Sequence, residues 1–181
     1  MALIVVGDVA GDATAESYTS EAEFVAYWAN RTLDPVYIAA GLATATTTQI
    51  EEALRITTQE LDAENEALWK GSKATEAQAL DWNRIGATDD SGFAFSSTVL
   101  PVELTALTNE RAARYIANIA TGMIPDQEGP SGAVEMELLQ AGPVKLQTKY
   151  TGGATQANLY PKLETLLIAL IDYDGTSVIR A

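Results

Sequence analysis

The chain has 181 residues, and its 11 lysines and arginines stand against 25 aspartates and glutamates, giving a formal net charge of −14. This length fits one domain with a sizeable core, and the 47% of hydrophobic residues is typical of a folded protein. The acidic balance disfavours binding to nucleic-acid phosphates, and the absence of cysteine and histidine excludes disulfides, thiol chemistry and histidine-based triads.

The amino-terminal residues predict an arm outside the core, residues 1–19. The apolar run Ala2–Val6 has no basic flank and is too short for a signal-peptide core or a membrane span. A loop of turn-forming residues follows at Gly7–Gly11. We therefore expect no membrane partner and a cytoplasmic location in the cell.

Two helices are predicted in the first half of the chain. Ser20, followed three residues later by Glu23, matches a capping box and predicts a helix over residues 20–31. From Thr48, apolar residues recur at three- and four-residue steps, which predicts a second, amphipathic helix.

Two further helices are predicted before a linker that is rich in glycine and proline. A short one is expected over residues 75–82, and the longest over residues 101–121, starting at Pro101 and stopping at Gly122. One line along the longest helix is formed by Val102, Ala106, Asn109, Ala113, Ile116 and Ala120. Its small side chains would let a neighbouring helix approach closely.

The period of the apolar residues changes to two after the linker, which predicts a β-hairpin over residues 133–150. With a three-residue loop at 140–142, Leu138 would face Val144 and Met136 would face Leu146. A last helix follows Pro161, and its apolar stripe comprises Leu163, Leu166, Leu167 and Leu170.

The predicted fold class is mainly α: a small bundle of four to five helices with one β-hairpin and extended terminal arms. We expect a single domain over 1–181, made of the arm at 1–19, a helical core at 20–124, the hairpin at 133–150, and a carboxy-terminal helix and tail at 159–181.

No motif predicts a cofactor, a metal or a catalytic set. Gly7–Gly11 lacks the lysine and hydroxyl of a nucleotide loop, and the turn Asp89–Gly92 lacks the glutamate that closes a calcium loop. We therefore expect a protein that is not an enzyme.

Aromatic and basic residues meet at two places, Trp69-Lys70-Gly71 and Trp82-Asn83-Arg84. Stacking aromatics next to cations are how proteins hold single-stranded nucleic acid. Each place has few cations in a strongly acidic chain, so we favour tryptophans that belong to the core.

Several segments carry a resemblance to a known family. They are ESYTS at 16–20, YWANR at 27–31, WKG at 69–71, QALDWNRIG at 78–86, GPV at 142–144, and the pairs Leu100-Pro101 and Tyr160-Pro161. In this order over nearly the whole chain, they resemble head-tail adaptor proteins of tailed bacteriophages, a family often labelled as a DnaT-like single-stranded-DNA-binding protein. The chain departs from that pattern at Asn83, where the family usually has proline.

The resemblance implies a structural virion protein that forms a ring, expected to be dodecameric, under the portal. Its partners would be the portal, copies of itself and a downstream neck or tail protein. Duplex DNA would only pass through an acidic channel, and the protein would sit in the virion neck after assembly in the host cytoplasm. Portal docking is then expected at Tyr160, Leu163, Leu166, Leu167, Leu170, Val178, Ile179 and Arg180.

We further expect the hairpin to contact other subunits or the neck through Val144, Leu146 and Tyr150. The alternative is a replication-type protein that binds single-stranded DNA. Its binding residues would be Trp69, Lys70, Lys73, Trp82 and Arg84.

Overall fold

The computed structural model describes residues 3–7, 13–89, 91–117, 137–141, 144–148 and 160–172. Over these ranges the fold is mainly helical, with five α-helices and an antiparallel hairpin, which confirms the predicted fold class. The chain divides into two compact units, Met1–Ile124 with Pro161–Arg180, and Pro125–Tyr160 with Ala181.

The helices are α1 (Glu21–Ala29), α2 (Pro35–Ala39), α3 (Thr47–Asn65), α4 (Val102–Ala117) and α5 (Pro161–Ile168), with a 3-10 turn at Leu42–Thr44. The strands are β1 (Ser72–Lys73), β2 (Arg84–Ile85), β3 (Glu137–Ala141) and β4 (Val144–Thr148). None of the helices in the described ranges has both the length and the hydropathy that a bilayer span requires.

The amino-terminal segment joins the core before α1 begins. Val5 pairs with Ser17 in a parallel bridge, and the Val6 N–H donates to the Ser17 carbonyl at 3.1 Å. Tyr18 is only 1% exposed, and Thr19 is fully buried. The prediction that residues 17–19 lie outside the core is therefore wrong. These residues can be buried because the bridge and the Ser17 hydroxyl satisfy backbone groups that burial would otherwise leave unpaired.

Helix α1 starts where the sequence predicts. The Ser20 hydroxyl accepts the Glu23 N–H, and the Glu23 carboxylate accepts the Ser20 N–H, so the capping box is confirmed. Phe24 and Trp28 are buried one turn apart on this helix.

Helix α2 lies in a stretch for which the sequence analysis predicts no element. Asp34 caps it by accepting the Val36 N–H at 2.8 Å, and Pro35 occupies its first turn. The local signals for this helix are present in the sequence. Its five residues are too few for an apolar period to show.

Helices α3 and α4 pack along each other at the centre of the first unit. Helix α3 begins one residue before the predicted start because Thr46 and Gln49 form a second capping box. One core cluster consists of Phe24, Trp28, Val36, Ile50, Ala53, Leu54, Ala112 and Ala113.

Helix α4 is the central helix, since every residue from Leu107 to Arg114 is buried. The predicted line of small residues lies partly in the core, with Asn109 and Ala113 buried, but Val102 at its start is 72% exposed. The predicted end of the helix lies outside the described residues.

The predicted short helix over residues 75–82 is wrong. This stretch connects β1 and β2, which pair antiparallel with Ser72 opposite Ile85. Gln78 accepts the Thr75 N–H and donates to the carbonyls of Leu80 and Asn83. These local side-chain contacts stabilise the non-helical backbone that connects the two strands.

The hairpin exists, but its predicted register is wrong. Ala141 pairs with Val144 and Leu139 with Leu146, so the loop has two residues instead of three.

Candidate functional site

The aromatic residues considered for nucleic-acid binding lie together beside the β1–β2 ladder. Trp69 and Trp82 meet edge to face with ring centroids 5.9 Å apart, and Phe95 meets Trp82 at 5.8 Å. Trp69 is 3% exposed and Trp82 is fully buried. A base stacks only on a ring whose face is open, so these rings are core in this structure, as the favoured interpretation of the sequence predicts.

Arg84 fixes the backbone around this cluster instead of facing solvent. It is 7% exposed, and its guanidinium donates to the carbonyls of Lys70 and Gly71 at 2.7 Å each and of Asp81 at 3.0 Å. Two of the acceptors lie just before β1, and Asp81 lies in the connection between β1 and β2. Removing this side chain would leave buried carbonyl groups without donors.

The two lysines of the alternative site also have partners within the chain. The Lys70 ammonium donates to the Ala169 carbonyl at 2.9 Å, just after α5. The Lys73 ammonium lies 2.9 Å from the Asp81 carboxylate, whose side chain is 8% exposed. The structure therefore brings all five residues of the alternative together, but as a packed and internally paired cluster.

Every lysine and arginine whose side chain the structure describes has a partner within the chain. Arg31 stacks on Tyr27, and Arg55 pairs with Glu16. The full set of eight, each with a partner in the chain, is Arg31, Arg55, Lys70, Lys73, Arg84, Arg111, Arg114 and Lys162. No described cation is left to form a basic groove.

Arg111 illustrates how tightly these cations are held. Its guanidinium reaches Glu64 at 2.6 Å and Glu60 at 3.0 Å across the α3–α4 contact. Burial lowers the pKa of Arg111, but the two carboxylates outweigh it, so the pKa is raised. The arginine thus stays charged and ties the two central helices together.

A second ionic cluster is centred on Glu110, which is fully buried. Its carboxylate lies 2.7 Å from Arg114 and 2.5 Å from Lys162, and it accepts the Tyr27 hydroxyl at 2.6 Å. Burial, and next the Glu110 carboxylate, raises the pKa of Tyr27. Lys162 also lies 3.4 Å from Asp34, so this cluster connects α1, α2 and α4 with α5.

The apolar stripe predicted to dock on a portal faces the interior of the first unit. Leu163 and Leu167 are each 7% exposed and Leu170 is fully buried, while Leu166 is half-buried. Tyr160, in the second unit, is buried as well. Val178, Ile179 and Arg180 lie outside the described residues, and portal docking stays a prediction.

The hairpin residues predicted to meet other subunits are described at the level of the backbone. Val144 opens β4 opposite Ala141, and Leu146 lies opposite Leu139. Tyr150 lies outside the described residues. The role of these residues in a subunit or neck contact also stays a prediction.

A small cavity lies between α3 and α4. A cavity of about 50 Å³ is lined by Gln49, Glu52, Ala53 and Tyr115, which is room for about one or two water molecules. Over the described ranges, no three metal-ligating side chains gather into a site.

The ionic clusters were not predicted from the sequence. Glu110 and Arg114 stand four residues apart, which is the spacing of an ordinary surface pair on a helix. The available signal is that they follow the apolar Leu107 at three- and four-residue steps, so the three residues share one face of the predicted helix.

Fold and site together define a small, acidic, mainly helical protein in which the described lysines and arginines interact with other groups of the same chain. A family model described as "Putative DnaT-like ssDNA binding protein" matches residues 1–181, so the chain belongs to that family. No curated protein and no solved structure matches the chain.

Proposed function

We propose that the chain is a structural subunit, a head-tail adaptor that assembles with copies of itself into a ring under a phage portal. One observation carries the proposal: all eight described lysine and arginine side chains are engaged within a chain of net charge −14. The carboxylates in excess of the cations give such a subunit a negatively charged surface. A ring of these subunits could surround DNA without binding it.

The physical argument concerns the cost of binding phosphate. Each contact requires a cation that replaces the counterions of the nucleic acid. Here a cation such as Arg111 would first have to leave two carboxylates at 2.6 and 3.0 Å. An acidic wall repels the phosphates of a passing duplex, so the duplex can move through the ring.

The partners in this proposal are the portal, neighbouring copies and the next neck or tail protein. Copies that meet through two different surfaces form a closed ring when the rotation between neighbours divides the full circle. The protein would then reside at the neck of the virion, after assembly in the host cytoplasm. This role needs no catalytic group and no cofactor.

The test of portal docking must leave the core intact. Truncation after Asp172 keeps α5 and its buried leucines but removes the predicted contacts Val178, Ile179 and Arg180. We expect the truncated protein to keep the circular dichroism and unfolding midpoint of the full chain but to lose co-purification with the portal.

A matched pair of surface variants completes this experiment. Ile168→Glu changes an α5 residue that is 38% exposed, and Val25→Glu makes the same change on α1 at a residue that is 48% exposed. Weakened portal binding is expected only for Ile168→Glu. Full portal binding by the truncated protein would rule out docking through the tail.

Binding of single-stranded DNA is the second candidate, and the description of the matching family favours it. Its five candidate residues do lie together. For bases to stack there, Trp69 and Trp82 would have to leave the core. This costs on the order of 3 kcal/mol for each large aromatic side chain. This candidate predicts an affinity for oligonucleotides that falls steeply with salt.

A further inference from the structure

Three segments of the first unit meet at a hydrogen-bond junction formed by the half-buried Asp62 with the buried Tyr18, Asp81 and Trp82. Tyr18 comes from the amino-terminal segment, Asp62 from α3, and the other two from the loop between β1 and β2. The Tyr18 hydroxyl donates to Asp62 Oδ1, and the Asp81 N–H donates to Asp62 Oδ2 at 3.0 Å. The Tyr18 oxygen in turn accepts the N–H groups of Asp81 at 3.1 Å and of Trp82 at 3.3 Å.

The junction holds more negative charge than positive. The groups that face Asp62 are the Tyr18 hydroxyl, the Asp81 carboxylate and the Lys73 ammonium. Lys73 is engaged by Asp81 at 2.9 Å, so the one cation pairs with the other carboxylate. Burial raises the pKa of Asp62 to about 6, although its hydrogen bonds with Tyr18 and the Asp81 N–H act in the opposite direction.

A proton on Asp62 would change this hydrogen-bond pattern. As a carboxylate, Asp62 accepts one hydrogen bond at each oxygen. A carboxyl oxygen that carries a proton has one fewer lone pair and is a poorer acceptor. A proton on Oδ2 therefore weakens the hydrogen bond from the Asp81 N–H, and a proton on Oδ1 weakens the hydrogen bond from the Tyr18 hydroxyl.

We propose that Asp62 is an acid-sensing group, and that its protonation switches the hydrogen bonds by which the loop around Asp81 and Trp82 is held to Tyr18 and α3. The ionised and the protonated forms of Asp62 then differ in how strongly they accept from Tyr18 and from the Asp81 N–H. This role is independent of the adaptor proposal, because it concerns only groups inside the subunit.

The sign of the pH dependence follows from the direction of the shift. The folded chain holds the Asp62 proton more tightly than the unfolded chain, in which an aspartate titrates near about 4. The contribution of Asp62 to folding is therefore most favourable below about pH 4 and falls as the pH rises to about 6. Above that range it is constant.

The experiment follows the side-chain carboxyl carbons and the backbone amides of the full-length chain by NMR from pH 4 to pH 8. We expect the Asp62 carboxyl to titrate near pH 6, and the amides of Asp81 and Trp82 to shift with the same midpoint. An Asp62 carboxyl that titrates near its ordinary value would overturn the proposal, whatever the variants do.

Two variants and a control separate the junction from general acid effects. Asp62→Asn should abolish the shared transition of the two amides, whereas Glu52→Gln, which removes an exposed carboxylate from the same helix, should preserve it. Tyr18→Phe should move the Asp62 midpoint upward, because the hydrogen bond that favours the carboxylate is lost. Amide transitions that persist in Asp62→Asn, or an unchanged midpoint in Tyr18→Phe, would contradict the proposal.

Discussion

Gly71 shows that a short, recognisable motif can have a purely structural reason. Its φ is +70°, and a Cβ there would lie 2.5 Å from the Ile85 carbonyl oxygen and 2.7 Å from the Ala87 nitrogen. The preceding Trp69 is buried, and the Lys70 ammonium donates to a carbonyl. Each residue of this Trp-Lys-Gly motif therefore has a packing role, and no ligand is needed to explain it.

We predict that Gly71→Ala destabilises the protein by about 3 kcal/mol or more, from the left-handed φ together with the clash against backbone. Gly86→Ala is the matched control, because its φ is +78° but nothing lies within 4 Å of the added Cβ. The control should cost only about 1 kcal/mol. Urea unfolding of both variants measures the difference, and equal losses would show that the close approach at Gly71 is unimportant.

At the scale of the element, what was predictable depends on how local the determining contacts are. The starts of α1 and α3 follow from capping residues within three positions, so the sequence carries the information. Residues 75–82 show helical spacing, yet Gln78 and Arg84 bind the carbonyls of this region. Such contacts do not appear in an apolar period, which explains the wrong helix.

Helix α5 shows the same limit for the candidate site. Its existence and its apolar stripe were predictable from the spacing of Leu163, Leu167 and Leu170. The surface that covers a stripe is not encoded in its spacing, and here the first unit itself covers it. Docking through α5 would thus use its outer face or the tail unless the helix moves.

We predict that Lys162→Met loosens α5. The substitution removes the ion pair with Glu110 at 2.5 Å and the pair with Asp34 at 3.4 Å, while Glu110 retains Arg114 and Tyr27. A part-exposed lysine on a buried carboxylate should contribute about 1–2 kcal/mol, which corresponds to roughly ten-fold faster hydrogen exchange in α5.

Hydrogen exchange followed by mass spectrometry measures this effect. Glu164→Gln, which removes a charge from the first turn of the same helix but not from the cluster around Glu110, should speed the exchange of α5 by less than about five-fold. If Lys162→Met speeds the exchange no more than Glu164→Gln does, the cluster around Glu110 does not hold the helix.

At the scale of the whole molecule, the arrangement of charge matters more than its sum. The net charge of −14 follows directly from the sequence. The burial of Glu110, Arg111 and Arg114 could not be predicted from it, because charged residues are usually exposed. Among the described residues three arginines but only two carboxylates are buried, so the described surface is slightly more acidic than the described residues as a whole. This difference separates the two candidate functions.

We therefore predict that the full-length chain binds a fluorescent single-stranded oligonucleotide weakly or not at all, even at low salt. Fluorescence anisotropy over a salt titration measures this, since each phosphate engaged on a single strand lowers the logarithm of the affinity by roughly 0.7 for every ten-fold rise in salt concentration. Among the five candidate residues, Lys73 combines a charge with a side chain that is 41% exposed, so Lys73→Gln is the discriminating variant. Glu52→Gln serves as the control at an exposed residue of α3. The opposite result would be tight binding that weakens steeply with salt and that is reduced by Lys73→Gln but not by Glu52→Gln. That result would favour the DNA-binding function over the adaptor, because the internal pairing of the cations would then not prevent phosphate contact.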